Sequence, residues 1–144
     1  MVRLTRDQWG LAMAWTTSRR GTCRRRQVGC VLLDADGFVL ATGYNGRAAG
    51  LTHCLDEPCA GAGAPSGQDL DRCEAIHAEQ NALLRCQDVR RVHTCYVTTS
   101  PCLTCVKLLL NTGCRRIVFT QNYPQPAAEQ LWLGAGREWM QMGA

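Results

Sequence analysis

Between residues 76 and 120 the apolar pattern alternates between helical and extended periods, and this alternation constrains the fold more than any other feature of the chain. A helix at 76–88 leads to a strand at 94–99, a second helix at 102–112 and a second strand at 116–120. Strand, helix and strand in that order read as a βαβ unit with parallel strands, hence an α/β protein. Ser100 is placed to cap the second helix, Pro101 to be its first residue and Gly113 to end it. Upstream, Val28-Gly29-Cys30-Val31-Leu32-Leu33 reads as a buried strand, Asp36-Gly37 as a hairpin turn and residues 38–42 as the antiparallel return. Thr5-Arg6-Asp7-Gln8 fits a capping box that opens a helix. Trp9, Ala12, Met13 and Trp15 follow at helical spacing as core or interface anchors, and Gly21 closes the segment. The tail holds a possible helix at 128–133 and a weak final segment at 138–142. At 144 residues the chain is expected to form one domain over 1–144.

Composition excludes several classes. Apolar residues at 46% and charged residues at 19% fit a globular protein rather than a disordered one. No apolar run approaches the roughly 18 residues of a membrane helix, and the polar start, Met1 to Gln8, does not resemble a secretory signal. A cytoplasmic location without membrane contact is therefore expected. There the ten cysteines stay reduced and are read as metal-binding or catalytic groups rather than disulfides. Cys30, Cys86, Cys95 and Cys114 lie among apolar neighbours and are expected as buried small hydrophobes, with His93 at the surface. The net charge of +4 rests on arginine, since Lys107 is the single lysine. Arg19, Arg20, Arg24, Arg25 and Arg26 form the densest cluster, either a solvated loop or a contact to phosphate or nucleic acid.

Two short motifs carry chemistry when taken together: His77-Ala78-Glu79 and Pro101-Cys102-Leu103-Thr104-Cys105. A helix rising at about 1.5 Å per residue and a strand returning at about 3.3 Å per residue bring the chain back to its starting level, so Cys102 is expected beside His77. Cys102 and Cys105, three apart, share one helical face. His77 and Glu79, two apart, reach one point only if the start of their helix faces it. One imidazole and two thiolates make three ligands of a zinc tetrahedron and leave a position for water. Zinc lowers the pKa of such a water, and Glu79, near but not ligating, is placed to move its proton. His-x-Glu followed by Pro-Cys-x-x-Cys is the signature of the zinc nucleobase deaminases.

The chain is similar to the deoxycytidylate (dCMP) deaminases of the cytidine deaminase superfamily. The resemblance is carried by Cys23-Arg24-Arg25-Arg26-Gln27-Val28-Gly29, Thr42-Gly43-Tyr44-Asn45-Gly46, Gly50-Leu51-Thr52-His53-Cys54, the segment from Arg72 to Ala82, and Thr99-Ser100-Pro101-Cys102-Leu103-Thr104-Cys105. It implies a three-layer α/β/α sandwich with a five-stranded mixed sheet. It implies hydrolysis of dCMP to dUMP and ammonia, feeding thymidylate synthesis. It implies that Asn45 contacts the sugar, that Ala78 lines the base pocket and that Tyr123 lies near the substrate. Gly43, Tyr44 and Gly46 are implied near a dCTP or dTTP effector site, with Arg26 as a phosphate contact. A homo-oligomer, from dimer to hexamer, is implied as well.

Residues 47–73 hold no convincing element but carry Cys54, Cys59 and Cys73. A loop this long is costly to order, and a second, structural zinc would clamp it. Cys54, Cys59 and Cys73 are its ligands in this reading, with Cys23 as the fourth and His53 as the alternative. Three competing functions are weighed. A deaminase acting on tRNA adenosine or single-stranded DNA cytosine would suit the arginines, but no nucleic-acid module is present, and Ser100 and His53-Cys54 favour the nucleotide branch. A Cys-x-x-Cys redox protein leaves His77 and Glu79 without a purpose. A purely structural zinc module would rest instead on Cys54, Cys59 and Cys73 with Cys23 or His53, and that site is expected to accompany the catalytic zinc.

Overall fold

The structure, a computed structural model, describes residues 1–23, 25–58, 62–63 and 74–143. Its frame is a five-stranded sheet formed by β1 (Gly29–Leu33), β2 (Val39–Tyr44), β3 (Thr94–Thr99), β4 (Arg116–Gln121) and β5 (Glu138–Gln141), in the order β2-β1-β3-β4-β5. β1 runs antiparallel to β2 and β3, while β3, β4 and β5 are parallel, so the sheet is mixed as expected. Four helices, α1 (Arg6–Ser18), α2 (Ala78–Arg85), α3 (Leu103–Leu110) and α4 (Pro126–Gly134), cover its faces.

Alternation along the strands assigns the helices to faces. Val31, Leu33, Tyr96 and Val118 point to one side and pack with Leu11 and Ala14 of α1. Cys30, Leu32, Cys95, Val97, Ile117 and Phe119 point to the other and pack with Ala78 and Ala82 of α2, Val106 and Leu109 of α3, and Ala128 and Trp132 of α4. These two layers over one sheet are the α/β/α sandwich.

The capping box forms: Gln8 N–H donates to Thr5 Oγ1 at 3.1 Å, and Thr5 N–H to Gln8 Oε1 at 2.9 Å. The buried face of α1 differs from the expected one. Gly10, Leu11, Ala14 and Ser18 are buried, whereas Trp9 and Ala12 are exposed and Met13 and Trp15 half-buried. Small residues face the sheet because the Tyr96 ring occupies the space that a larger side chain at position 10 would need. Arg19, not Gly21, caps the end of α1. Gly37 sits in the β1–β2 turn at φ 89°, a conformation glycine adopts without steric cost. Asp34 Oδ1 accepts N–H bonds from Asp36 and Phe38 there.

α2 is shorter than the 76–88 stretch. Cys86 turns extended, and Asp88 caps a separate 3₁₀ turn, Val89–Arg91, by accepting Arg90 N–H. Such local side-chain bonds compete with helix continuation. α3 ends at Leu110 with Asn111 as its cap; Gly113 instead donates its N–H to Val89 O. Cys30, Cys95 and Cys114 are fully buried, and burial pushes the Cys114 thiol up. Cys86 is only half-buried. His93 is half-buried rather than at the surface, with Nδ1 2.9 Å from Thr94 Oγ1. The final segment is edge strand β5. No helix among the described residues is long and apolar enough to cross a membrane.

One polar cluster ties α1 to three strands at the end of the sheet where β3 and β4 begin. Arg116 donates to both Asp7 oxygens, at 3.0 and 2.9 Å, and pairs with Glu138, while Tyr96 OH donates to Asp7 at 2.6 Å. Arg116 holds the Asp7 carboxyl below its ordinary range. The stabilisation is therefore complete above about pH 4, the unfolded carboxylate value, and is lost as pH falls through Asp7's lower folded value. Asp7→Asn is expected to cost about 1–3 kcal/mol at neutral pH. Urea denaturation should show the gap to wild type closing on acidification; a gap independent of pH would refute the assignment.

Candidate metal centre

Two helices begin at one point. His77 occupies the N-cap of α2 (φ −71°, ψ 154°) and Cys102 the N-cap of α3 (φ −72°, ψ 170°). His77 Nδ1 lies 3.4 Å from Cys102 Sγ and 3.3 Å from Cys105 Sγ. All three ligand atoms fall within 4.8 Å of one another. Zn–N and Zn–S bonds of about 2.0 and 2.3 Å at tetrahedral angles put such atoms roughly 3.5–3.8 Å apart, so the set fits one zinc ion. Among the described residues it is the one such cluster.

The capping of α3 differs from the expected one. Cys102, not Ser100, is the N-cap, as Val106 N–H bonding to Cys102 O at 2.9 Å shows. Ser100 is buried two residues earlier, and its Oγ accepts Tyr123 N–H at 2.6 Å. The extended backbone at each cap turns the ligand side chain back over the helix start. Both thiolates then lie near the positive ends of helix dipoles, which favours their ionised form. Hydrogen bonds from Cys105 and His77 hold the Cys102 thiol far down, at about 4, while the shared proton and burial push Cys105 up. The Cys102 bond raises the His77 imidazole.

Glu79 follows His77 on the first turn of α2 and is buried. Burial raises its carboxyl to about 7, against the opposing pull of His77. A redox Cys-x-x-Cys pair has no use for the imidazole that touches both sulfurs or for this buried acid.

The segment 43–46 braces the start of α2. Gly46 and Ile76 exchange two backbone bonds, at 3.1 and 2.8 Å, directly before His77. Asn81 Nδ2 donates to Tyr44 O, and Gln80 Oε1 accepts His77 N–H, both at 2.8 Å. Asn45 is buried; its Oδ1 accepts Val28 N–H at 2.8 Å and its Nδ2 donates to Arg26 O at 2.6 Å. The Arg20 guanidinium stacks 5.8 Å from the Tyr44 ring centre. Ala78 is buried between His77 and Glu79. Tyr123 lies half-buried beyond β4, tied to Ser100. The contacts made by Asn81, Ser100 and Gln125 were not expected, because long-range side-chain hydrogen bonds have no local sequence pattern; the Gln80 bond, three residues from His77, is a local capping-box contact that the sequence reading missed.

Of the expected second zinc set, Cys23 and Cys54 are buried and His53 is exposed. Leu55 N–H bonds to Thr22 O at 3.0 Å, which lays residues 54–55 beside 22–23. Cys59 and Cys73 lie outside the described residues, as does Arg24 of the arginine cluster.

An imidazole and two thiolates where two helix N-termini meet, with a fourth tetrahedral position left over, define a zinc site of catalytic layout. Residues 4–121 match the family described as the cytidine and deoxycytidylate deaminase zinc-binding region. The chain belongs to that family. It is 35% identical over 125 residues to the deoxycytidylate deaminase of Saccharomyces cerevisiae, covering 85% of this chain and 40% of the relative. It is 38% identical over 128 residues to the deoxycytidylate deaminase of Mycobacterium phage D29, covering 85% of this chain and 99% of the relative. The chain thus spans about two fifths of the yeast protein and nearly all of the phage protein. In fold it is similar to the dCMP deaminase of the cyanophage S-TIM5 solved in complex with dCMP and dUMP, with TM-score 0.77 and 22% identity over 99% of this chain and 100% of that one.

Gly43 of β2 packs directly under α2, where a methyl group would fall on the Ala78 carbonyl and the Ala82 amide. Gly43→Ala should displace the helix that presents His77, costing about 1–3 kcal/mol and weakening zinc retention. Thermal denaturation and zinc analysis after dialysis check this; a variant with wild-type melting and full zinc would contradict it.

Proposed function

We propose that this protein hydrolyses dCMP to dUMP and ammonia, supplying dUMP for thymidylate synthesis. One observation carries the reading: His77, Cys102 and Cys105 converge at 3.3–3.4 Å with the buried acid Glu79 beside them. The names of the relatives, and the dCMP and dUMP bound by the S-TIM5 enzyme, support the substrate.

A zinc ion held by these three residues supplies a water of lowered pKa and a Lewis acid for the reacting centre. The remaining chemistry falls to the chain. Water adds at C4 of the cytosine and the exocyclic amino group leaves as ammonia. Glu79 accepts one proton of the attacking water and passes it to the ring nitrogen, then takes the remaining hydroxyl proton of the C4 adduct and gives it to the leaving amine as the carbonyl forms. Its burial suits both roles, since an acid near neutrality gives and takes a proton with equal ease. His77 and Glu79 share a helix start, so the ligand and the proton carrier are set by one backbone segment. Ala78 between them lies along the base. Asn45 stands at the sugar and Tyr123 near the substrate; the pairing of Gly46, next to Asn45, with Ile76 before His77 and the tie of Tyr123 to Ser100 before Cys102 support this.

The same reading includes a second, structural zinc on Cys54, Cys59 and Cys73. Cys23 is the fourth ligand, in preference to His53, supported by the burial of Cys23 and Cys54 and the bond between their neighbours. It makes the protein one domain over 1–144 and a cytoplasmic homo-oligomer, from dimer to hexamer. The exposed Leu84, Leu108, Leu131 and Leu133 on the outer faces of α2, α3 and α4 support association. dCTP and dTTP are effectors in this reading, acting through Gly43, Tyr44 and Gly46, with Arg26 on a phosphate. The stacking of Arg20 on Tyr44 supports a charged, aromatic-lined contact there.

Glu79→Gln tests the reading. The variant should retain the wild-type zinc content, about two ions per chain, yet lose about 10²–10⁴-fold in deamination rate. Ammonia release from dCMP and metal analysis on the same sample read both. Turnover near wild type would remove Glu79 from the mechanism, and a single zinc in wild type would remove the second site.

A further inference from the structure

The turn that carries Cys102 is held from outside its own helix. Leu103 N–H is the first amide of α3, one of the four that no carbonyl within a helix can serve. Its partner is Gln125 Oε1, at 2.6 Å, reaching across from the loop after β4. Gln125 is itself the N-cap residue of α4, yet its side chain makes no capping bond to α4, whose first residue Pro126 has no N–H to offer. The Gln125 oxygen therefore caps its neighbour's helix instead of its own.

A second bond crosses the same gap in the opposite sense. Tyr123 N–H donates to Ser100 Oγ at 2.6 Å, two residues before Cys102. The two bonds staple residues 123–125 to residues 100–103 on both sides of Cys102. That cysteine is buried, so its side chain has little room to adjust if the turn shifts.

We propose that Gln125 is a positioning residue for the metal centre. By holding Leu103 N–H it fixes the rotation of the α3 start, and so the direction of the Cys102 thiolate, while anchoring the loop that bears Tyr123. The inference rests on the reading that His77, Cys102 and Cys105 hold zinc. Ligands oriented by a neighbouring hydrogen bond lose about 10–100-fold in metal affinity when that bond is removed.

The test compares Gln125→Met, which keeps the shape and loses the acceptor, with Gln125→Glu, which keeps an acceptor. Zinc release from the full-length protein to a chromogenic chelator should be about tenfold faster or more in Gln125→Met and within about twofold of wild type in Gln125→Glu. The cobalt-substituted proteins give a second reading, because thiolate-to-cobalt absorption reports only folded, loaded sites. Its band should change in Gln125→Met and return in Gln125→Glu. Equal release rates and spectra in wild type and Gln125→Met would overturn the proposal, as would a Gln125→Glu variant as impaired as Gln125→Met. Absence of thiolate-to-cobalt absorption in wild type would overturn the zinc reading itself, and this one with it.

Discussion

Two peptide chain reversals end in helix caps that face each other, and the rest of the structure serves that meeting. His77 and Cys102 both take extended backbone angles, so each side chain folds back over the amides that follow it. Cys105, inside α3 but three residues on, joins them because it shares the helical face of Cys102. The two cap positions and this spacing thus let a histidine and two cysteines share one small volume, with Glu79 two residues beyond His77. Like charges on two thiolates would repel without compensation; the converging helix dipoles and the His77 imidazole provide it before any metal is considered.

The sheet determines where the caps fall. β3 leads into Cys102, and the β2 end at Tyr44 and Gly46 pairs with the residues entering α2. Close approach at Gly43 lets α2 lie on the strand that braces it. At the far end of the sheet Asp7, Tyr96, Arg116 and Glu138 bind α1 and three strands into one polar cluster. The chemistry and the strongest charged tie therefore occupy opposite ends. A weakness in one need not disturb the geometry of the other.

Much of this was legible in the chain. The strand at 94–99 and its parallel partner were readable because both are short, apolar and bounded by polar turns. The meeting of His77 with Cys102 followed from the rise of helix and strand alone. The buried face of α1 was not readable. Its large residues Trp9, Met13 and Trp15 and the buried Gly10, Leu11 and Ala14 form two stripes about one residue apart, and the Tyr96 ring, which leaves room only for glycine at position 10, favours burying the second. The short edge strand β5 lacks alternation because it is half-covered. Ser100 looked like a cap by position, yet its hydroxyl was claimed by Tyr123, and Gln125 caps a helix whose first residue lies 22 residues earlier in the chain. Local patterns predict local hydrogen bonds; these bonds join segments that meet only after the sheet has formed.

The central claim is that the His77, Cys102 and Cys105 site performs a zinc-dependent hydrolysis of dCMP. Its most direct test strips the purified protein of metal with a chelator, restores zinc, and follows dUMP and ammonia from dCMP at each stage. The account predicts one ammonia per dUMP, loss of turnover on stripping, and recovery on adding zinc. Turnover that survives complete removal of metal, or a fully zinc-loaded protein that leaves dCMP intact, would contradict it.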